Sequence, residues 1–437
     1  MGKQNLTLMT DLYELTMMQG YFRNKDRNET VIFDAFYRNN PMDSGYSICA
    51  GLEQVIDYVN NLHFEDDDIA YLRSLGIFGE DFLKYLRDFH FSGDIYAIPE
   101  GSIMFPREPM IKVIAPIMEA QLVETAILNI INHQSLIATK TSRVCFAARG
   151  DGIMEFGLRR AQGPDAGTLG ARAAMIGGCV GTSNVLAGQL FDVPVKGTHA
   201  HSWIMSFPDE YTAFKTYADM YPSACILLVD TYDTLKSGVP NAIRVFTEMR
   251  EAGIPLTFYG IRLDSGDLAY LSKKARKMLD EAGFPDAVIS ASNDLDEYLI
   301  DSLKVQGCKI TSWGVGTHLI TSKDWPSFGG VYKLAAIQDA QSGEFIPKIK
   351  LSENSEKITN PGNIYRIYEK DTGKIKADLI CLVDETYDEN EPLVLFDPNE
   401  PWKKTKLLPG TYELRELMVH VFDHGNCIYH SPKVMDI

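Results

Sequence analysis

The amino-acid sequence predicts an α/β protein with a (β/α) barrel and a smaller α+β region. Its 437 residues exceed what one small core needs and are enough for a barrel-sized domain plus a second domain. Between residues 153 and 334, short apolar runs bounded by glycine alternate with amphipathic segments, a pattern typical of a parallel sheet. About seven or eight such units favour a closed barrel over an open doubly wound sheet.

The region before the barrel mixes helical and strand-like patterns up to about residue 116. Its clearest elements are two helices and two strands, expected at residues 52–62, 80–91, 30–37 and 111–114. Prolines break this region into short elements, at Pro99, Pro106, Pro109 and Pro116. A long helix is then expected from residue 119 to about 138. The mixture indicates an α+β region that precedes the barrel.

Within the barrel region, the apolar runs predict strands at residues 153–156, 193–195, 225–229, 256–261, 287–290, 308–311 and 331–334. The clearest helix between them is expected at residues 267–282, where Leu268, Leu271, Ala275 and Leu279 fall on one face. From residue 345 onward the pattern returns to β, with turns expected at residues 361–362 and 371–373.

Charge and cysteine content exclude several classes of protein. The formal charge of −17, from 59 acidic and 42 basic residues, would repel the phosphates of a nucleic acid. The seven cysteines are scattered and never spaced as a metal or redox pair. No apolar run approaches the ~20 residues that span a bilayer. The sequence therefore predicts a cytoplasmic protein that binds neither nucleic acid nor a membrane.

Polar residues follow most of the predicted barrel strands, at residues 157–160, 198–201, 230–233, 262–267, 292–294 and 314–317. Active sites of barrel enzymes lie at the carboxyl ends of the strands, so these segments are expected to meet. Together they supply arginines, histidines, carboxylates and a glycine-rich turn. The combination predicts a site for an anionic, phosphate-bearing substrate with a divalent cation.

Two histidines, His199 and His201, follow the apolar run at residues 193–195. Alternation along a strand would place both imidazoles on one side, where they could bind a metal, pass protons or accept a phosphoryl group. Only His318 follows within the barrel region, which leaves too few ligands for a binuclear metal site. Phosphoryl acceptance needs one exposed imidazole, and a buried, hydrogen-bonded histidine is the alternative for the other.

Other strand-end residues are suited to anions. Arg159 and Arg160 would present paired guanidinium groups to a phosphate or carboxylate, with surface charge as the alternative. Residues Gly314, Gly316 and Thr317 could hold a phosphate on backbone N–H groups, and an ordinary tight turn is about as plausible a reading.

The loop at residues 262–267 is the densest in polar groups. Arg262 would face an anion, while Asp264 and Asp267 could hold ribose hydroxyls or Mg²⁺. The alternative is a helix start, with Ser265 or Asp264 as the N-cap and Asp267 near the positive helix end. Asp230 likewise either reaches ribose or metal or caps the turn that follows it.

Five motifs together resemble one known family, in matching order over nearly the whole chain. They are TDLYELTM at residues 10–17, EFGLRRA at 155–161, GTHAHS at 197–202, IRLDSGD at 261–267 and WGVGT at 313–317. This set closely resembles the nicotinate phosphoribosyltransferase family of type II phosphoribosyltransferases, and residues 348–352 and 361–362 resemble it too. Two other classes stay open, a metal-dependent hydrolase and a non-enzymatic phosphate-binding protein, as does the nicotinamide-specific relative.

The resemblance implies a fold and an activity. The fold would be an irregular TIM-like barrel at residues 119–344, with an α+β domain formed by residues 1–118 and completed by the C-terminal segment at 345–437. The enzyme would be a homodimer. It would join nicotinate to phosphoribosyl pyrophosphate in NAD salvage, releasing nicotinate mononucleotide and pyrophosphate, with Mg²⁺ and with ATP as a co-substrate that phosphorylates a histidine.

The resemblance also implies roles for individual residues. His201 matches the phosphorylated histidine, and Asp264 matches the acid near ribose and magnesium. The expected nicotinate-binding residues are Tyr13, Phe156, Thr198 and Arg262. The expected phosphate-binding residues are Arg159, Arg160, Gly314, Gly316 and Thr317. The resemblance leaves the roles of Asp230, Ser292 and His199 open.

Overall fold

The computed structural model describes residues 5–24, 29–349, 362–382, 385–397 and 400–437. The family-like residues 350–352 and Pro361, with the turn predicted there, lie outside this part. The chain forms two compact units, one from Met1–Ser135 and Ser327–Ser431 and the other from Leu136–Pro326 and Pro432–Ile437. The domain boundaries expected at residues 118 and 344 stay a prediction.

The N-terminal part of the first unit contains the predicted mixture of helices and strands. Its elements are Leu12–Asn24 (α1), Thr30–Tyr37 (β1), Ser47–Ile48 (β2), Leu52–Asn60 (α2), Asp66–Ser74 (α3), Glu80–Arg87 (α4), Asp94–Ala97 (β3), Ile103–Met104 (β4), Ile111–Pro116 (β5) and Ile117–Leu122 (α5). The predicted strand at residues 30–37 is confirmed to the residue, because its run of apolar side chains is buried along nearly its whole length.

A long helix, Glu124–Ala147 (α6), leads into the second unit. That unit alternates strands and helices: Gly152–Glu155 (β6), Pro164–Ile176 (α7), Gly181–Thr182 (β7), Val185–Phe191 (α8), His201–Met205 (α9), Glu210–Met220 (α10), Cys225–Leu228 (β8), Val239–Glu251 (α11), Tyr259–Leu263 (β9), Leu268–Glu281 (α12), Val288–Ala291 (β10), Glu297–Val305 (α13), Ser312–Val315 (β11) and Thr317–Ile320 (α14).

The strands of the second unit form one six-stranded sheet in the order β7-β6-β11-β10-β9-β8. Every neighbouring pair is parallel, as the strand–helix alternation predicts. The ring of Tyr259 on β9 packs edge to face with those of Phe246 on α11 and Phe284, and the three centroids lie 5.1 to 6.1 Å apart. The carboxyl ends of all six strands therefore lie along one edge.

Three predicted strands do not lie where they are expected, and a fourth, expected at residues 256–261, is shifted to Tyr259–Leu263. Residues 193–195 make only an isolated bridge, between Val195 and Thr182. Residues 308–311 precede β11, because Gly307 takes a left-handed φ of 74° at the end of α13 and the chain needs four residues to return to the sheet. Residues 331–334 lie in an antiparallel sheet of the first unit, since an apolar run alone does not specify which sheet it joins.

The C-terminal part of the first unit is built mainly from strands. They are Gly330–Gln338 (β12), Phe345–Pro347 (β13), Asn363–Glu369 (β14), Ile375–Cys381 (β15), Leu393–Phe396 (β16), Lys404–Leu407 (β17), Tyr412–Glu416 (β18), Val419–Asp423 (β19) and Asn426–Cys427 (β20).

The two ends of the chain share one seven-stranded sheet, in the order β13-β12-β1-β5-β3-β19-β20. Its pairing is antiparallel, and the ring of Tyr332 on β12 stacks on Phe33 of β1 with centroids 4.8 Å apart. The N-terminal domain is thus completed by C-terminal strands, as the resemblance implies. Among the described residues, no helix is long and apolar enough to cross a membrane.

Candidate active site

A cavity of about 530 Å³ lies at the carboxyl ends of the parallel strands in the second unit. Nine of the predicted site residues line it: Phe156, Arg159, Arg160, Thr198, Arg262, Asp264, Gly314, Gly316 and Thr317. They come from four separate stretches of sequence, and the parallel sheet brings them together because its strands all end at this edge. Tyr13 lies on α1 of the first unit, with 44% of its surface exposed, and its contact with substrate stays a prediction.

The ring of Phe156 forms one wall of the cavity and depends on a glycine in the neighbouring strand. Phe156 follows β6 directly, and its N–H donates to the Val315 carbonyl of β11 at 2.8 Å. A Cβ atom at Gly314 would lie 2.5 Å from Phe156 Cδ2 and 2.7 Å from Cε2. Gly314 lies within β11, not after the strand as predicted. Because it has no side chain, it leaves the space that the ring of Phe156 occupies.

Arg262 is a largely buried cation in the wall of the cavity. Its side chain is 15% exposed, Nη1 donates to the hydroxyl of Thr198, and Nε is buried with no hydrogen-bond partner among the described residues. Burial lowers the pKa of Arg262, while Asp264 and Asp230 oppose the shift, and an arginine stays charged under these conditions. A desolvated guanidinium with an unpaired N–H is suited to bind a carboxylate or phosphate.

His201 is held with its two ring nitrogens in different surroundings. Nδ1 lies 3.0 Å from the hydroxyl of Thr231, whereas Nε2 lies 3.7 Å from Asp264 Oδ2 and 3.9 Å from Asp230 Oδ1. The side chain is 38% exposed, so a substrate can reach the ring. If Thr231 accepts from Nδ1–H, the lone pair of Nε2 is free to act as a nucleophile.

His199 has a different environment from His201. Its ring is only 8% exposed and lies edge-on to Tyr217 with centroids 4.6 Å apart, and Nε2 accepts from the N–H of Leu228 at 3.4 Å. Burial, followed by the charge of Arg262, lowers the pKa of His199 to about 4, so this imidazole is neutral at neutral pH. His199 matches the alternative of a buried, hydrogen-bonded histidine only in part, because Nδ1 has no partner among the described residues and the residue lines the cavity.

The strand expected to align the two histidines is absent. Residues 197–200 form a loop, and α9 begins at His201. The prediction that strand alternation places both imidazoles on one side is therefore wrong. Its basis was the apolar run at residues 193–195, whose alternation does not continue once the single bridge at Val195 is made.

Four side chains tie the loops after β8, β9 and β10 together. Asp230 Oδ2 accepts from the N–H of Asp264 and from the hydroxyl of Ser265, both at 2.7 Å, and Ser292 donates to Asp264 Oδ1. Asp267 caps α12, since its carboxylate accepts from the N–H of Tyr270 at 2.9 Å. The alternative of Ser265 or Asp264 as N-cap is wrong, and the Asp264 carboxylate faces the cavity.

Several cavity residues were missed in the sequence. Asn293 and Asp294 line the cavity with left-handed φ values of 95° and 39°, a strained backbone of the kind that clusters at functional sites. Their segment was recognised as polar, but no role was assigned. Ser183 lines the cavity after a strand of only two residues, too short to be detected from an apolar pattern. Thr231 does not line the cavity but contacts His201 Nδ1 at 3.0 Å, and its position directly after the strand-end residue Asp230 is the sequence signal for it.

The fold and this cavity define a barrel-type enzyme that handles anionic substrates. Family models for nicotinate phosphoribosyltransferase match almost the whole chain, with the N-terminal domain at residues 8–132, the family region at 152–360 and the C-terminal domain at 362–437. The chain is 48% identical to nicotinate phosphoribosyltransferase of Bacillus subtilis, over 99% of this chain and 87% of that protein. It is 33% identical to the enzyme of Homo sapiens, over 86% of this chain and 80% of that protein.

Two solved structures are similar to this chain over nearly its whole length. The crystal structure of human nicotinic acid phosphoribosyltransferase superposes with a TM-score of 0.83 and 29% identity, covering 97% of this chain and 91% of that one. Nicotinate-nucleotide pyrophosphorylase from Pyrococcus furiosus shares the fold, with a TM-score of 0.73 and 21% identity over 99% and 93% of the two chains. The chain belongs to the nicotinate phosphoribosyltransferase family, and the predicted fold class is confirmed.

Proposed function

We propose that this chain transfers the phosphoribosyl group of phosphoribosyl pyrophosphate to nicotinate, with ATP as co-substrate, to give nicotinate mononucleotide and pyrophosphate for NAD salvage. Membership of the family over nearly the whole chain supports the reaction. The observation that carries the choice of substrate is the pairing of an aromatic wall, Phe156, with the buried cation Arg262 in one cavity. A pyridine ring that bears a carboxylate needs both.

Nicotinate is proposed to stack on Phe156 while its carboxylate meets the guanidinium of Arg262. The hydroxyl of Thr198, which accepts from Arg262 Nη1, orients that guanidinium. Tyr13 is proposed to cover the opposite face of the pyridine ring in the homodimer that we also propose. With these contacts the ring nitrogen is free to attack the anomeric carbon, so the transfer step needs no nucleophilic side chain.

Phosphoribosyl pyrophosphate is proposed to bind along the rest of the cavity. Arg159 and Arg160 are exposed on the turn after Gly157 and would hold its phosphates. The segment from Gly314 to Thr317, with Gly316 and Thr317 after β11, would hold the 5′-phosphate. Positive charge develops on the ribose during transfer, and the carboxylate of Asp264 would stabilise it.

Mg²⁺ fits the acidic part of this site. Asp230 Oδ1 is buried with no hydrogen-bond partner among the described residues, and Asp264 Oδ2 faces the same histidine nitrogen as that atom does. Carboxylates and substrate phosphates are the usual ligands of Mg²⁺. Asp264, with Asp230 beside it, would hold Mg²⁺ on the pyrophosphate, where the ion would offset negative charge on the leaving group.

His201 is proposed to accept the γ-phosphoryl group of ATP. Its Nε2 attacks the γ-phosphorus, the bond to the β,γ-bridging oxygen breaks, and ADP leaves. The new negative charge beside the substrates shifts the site toward a tighter-binding state, and hydrolysis of the phosphohistidine then resets it.

A cytoplasmic location is also proposed, since all seven cysteines, which lie within the described residues, are free thiols.

Mass spectrometry of the product tests the proposal. The protein is incubated with phosphoribosyl pyrophosphate, Mg²⁺ and ATP together with either nicotinate or nicotinamide. We expect nicotinate mononucleotide as the main product and much slower use of the amide, which lacks the charge that Arg262 is proposed to bind. Equal or faster use of nicotinamide would contradict the choice of nicotinate as substrate. Catalysis that does not need phosphoribosyl pyrophosphate would favour a hydrolase.

Replacing Gly314 with alanine is expected to raise the KM for nicotinate roughly tenfold. The added methyl would lie 2.5 Å from the ring of Phe156, and overpacking of this kind costs about 1 to 3 kcal/mol. Steady-state kinetics measures the effect. In a Phe156→Ala background the same substitution should add little, because the ring that it displaces is gone. Independent, additive effects of the two changes would argue against this role of Gly314.

Replacing Thr231 with valine is expected to slow phosphohistidine formation roughly fivefold. Valine keeps the shape but removes the hydroxyl 3.0 Å from His201 Nδ1, and such a hydrogen bond contributes about 1 kcal/mol. Quench-flow measurement with labelled ATP gives the rate. Thr231→Ser retains the hydroxyl and serves as the control, with labelling close to that of the unmodified protein. Equal rates for the valine variant would show that Thr231 does not orient the ring.

A further inference from the structure

Glu155 is a buried carboxylate at the end of β6, directly before the aromatic wall of the cavity. Its side chain is fully buried, and each oxygen accepts a hydrogen bond. Oε1 accepts from the N–H of Gly157, and Oε2 accepts from the hydroxyl of Thr182 at 2.6 Å. Burial raises the pKa of Glu155, and these two bonds oppose the shift. No step of the proposed reaction uses this group.

The bond to Thr182 has a fixed direction. The hydroxyl of Thr182 accepts from the N–H of Asn184 at 3.0 Å, so its only proton is available for Glu155. Asn184 in turn caps α8, because its side chain accepts from the N–H of Ala187 at 3.1 Å. The two donors, one N–H and one O–H, therefore both point at Glu155, and only a carboxylate offers two acceptor oxygens there.

Through these bonds Glu155 contacts segments that line the cavity on several sides. The Gly157 N–H belongs to the turn that presents Phe156. The Glu155 carbonyl accepts from the N–H of Ser183 at 2.9 Å, a residue that lines the cavity. Thr182 makes two further backbone bonds, to the Pro194 carbonyl at 3.0 Å and from the N–H of Lys196 at 2.8 Å. Lys196 immediately precedes the loop at residues 197–200 and His201.

We propose that Glu155 is a positioning residue for the pyridine substrate, which acts through the Gly157 turn and the Thr182 hydroxyl. The proposal rests on the proposed function, because it assigns the Phe156 wall to the pyridine ring. The alternative role is that of a buried glutamate that serves stability alone. The two roles differ in what they change: a positioning role alters binding of one substrate selectively, whereas a stability role lowers the fraction of folded enzyme and affects both substrates equally.

The test compares Glu155→Gln with Thr182→Val in the full-length protein. Glutamine keeps the volume but offers one acceptor oxygen, so one of the two donors, the Thr182 hydroxyl or the Gly157 N–H, loses its acceptor. We expect the KM for nicotinate to rise about tenfold, equivalent to about 1.4 kcal/mol, while the KM for phosphoribosyl pyrophosphate rises no more than about threefold. Thr182→Val should reproduce the effect, and the double variant should be no worse than Glu155→Gln, because valine removes one of the two donors that compete for the single amide oxygen.

Glu210→Gln is the matched control. Glu210 is also buried in the second unit, and its carboxylate also accepts from a hydroxyl, that of Ser237, and from an amide N–H of Asn241 at 3.0 Å. Both bonds fall on Glu210 Oε2, so glutamine can keep them, and this variant should leave the ratio of the two KM values unchanged. The proposal is overturned if Glu155→Gln or Thr182→Val leaves that ratio unchanged. If Glu155→Gln does not fold, Thr182→Val decides alone. The proposed function fails separately, if the unmodified protein makes no nicotinate mononucleotide.

Discussion

Replacing His201 with alanine is expected to abolish ATP hydrolysis and to leave slow, ATP-independent formation of nicotinate mononucleotide. The imidazole is the proposed phosphoryl acceptor, so its loss removes the reaction with ATP altogether. The transfer step uses the pyridine nitrogen as nucleophile and survives. ATP should no longer stimulate this residual activity, and the lost stimulation is expected to be roughly 5- to 150-fold, the usual range of coupling between two ligands.

Labelling with γ-labelled ATP measures this result. The unmodified protein should carry an acid-labile, base-stable label, as a phosphohistidine does, and His201→Ala should carry none. His199→Asn is the matched control, because His199 is buried and its low pKa keeps it neutral. This variant should still be labelled on His201. Full stimulation of the His201→Ala variant by ATP would refute the assignment of His201.

Replacing Arg262 with methionine is expected to lower kcat/KM for nicotinate roughly 100- to 1000-fold. Methionine fills similar space but removes the only charge proposed to meet the substrate carboxylate. Breaking a desolvated, hydrogen-bonded charge pair costs about 2 to 5 kcal/mol. The change also leaves the Thr198 hydroxyl without the donor that it accepts from. Use of nicotinamide should fall much less, because an uncharged amide gains little from the guanidinium.

The ratio of nicotinate to nicotinamide use is therefore the decisive measurement. Arg262→Lys keeps a positive charge but loses the planar pair of donors, and an intermediate loss is expected. Circular dichroism of both variants checks that the sheet is intact, since Arg262 lies within β9. An unchanged preference for nicotinate in Arg262→Met would place carboxylate recognition elsewhere, with Arg159 and Arg160 as the next candidates.

Elements with strong local patterns could be predicted from the sequence. The amphipathic helix expected at residues 267–282 is α12, at Leu268–Glu281, with Asp267 as its cap. The strands expected at 225–229 and 287–290 match β8 and β10 within one residue at each end. The run at residues 331–334 was placed in the wrong sheet, because its partner, β1, lies about 300 residues earlier and local sequence carries no record of that pairing.

The site could also be predicted in part, where it depends on local pattern and not on distant contacts. Phe156, Arg159 and Arg262 end or follow parallel strands, and the topology brings such residues to one edge without further information. Thr231 and Glu155 make hydrogen bonds to residues 30 and 27 positions away. Those partners follow from the detailed course of the loops, which periodicity does not determine.

The sheet shared by the two ends of the chain has a consequence for synthesis on the ribosome. Strand β1 lies between β5 and β12, and β12 begins only at Gly330. At about 5 to 20 residues per second, one edge of β1 stays unpaired for on the order of 15 to 60 s after it emerges. Seven of its eight residues are buried in the folded protein, so the nascent chain carries a largely apolar strand with one unpaired backbone edge, and truncation before residue 330 would leave that edge open to aggregation.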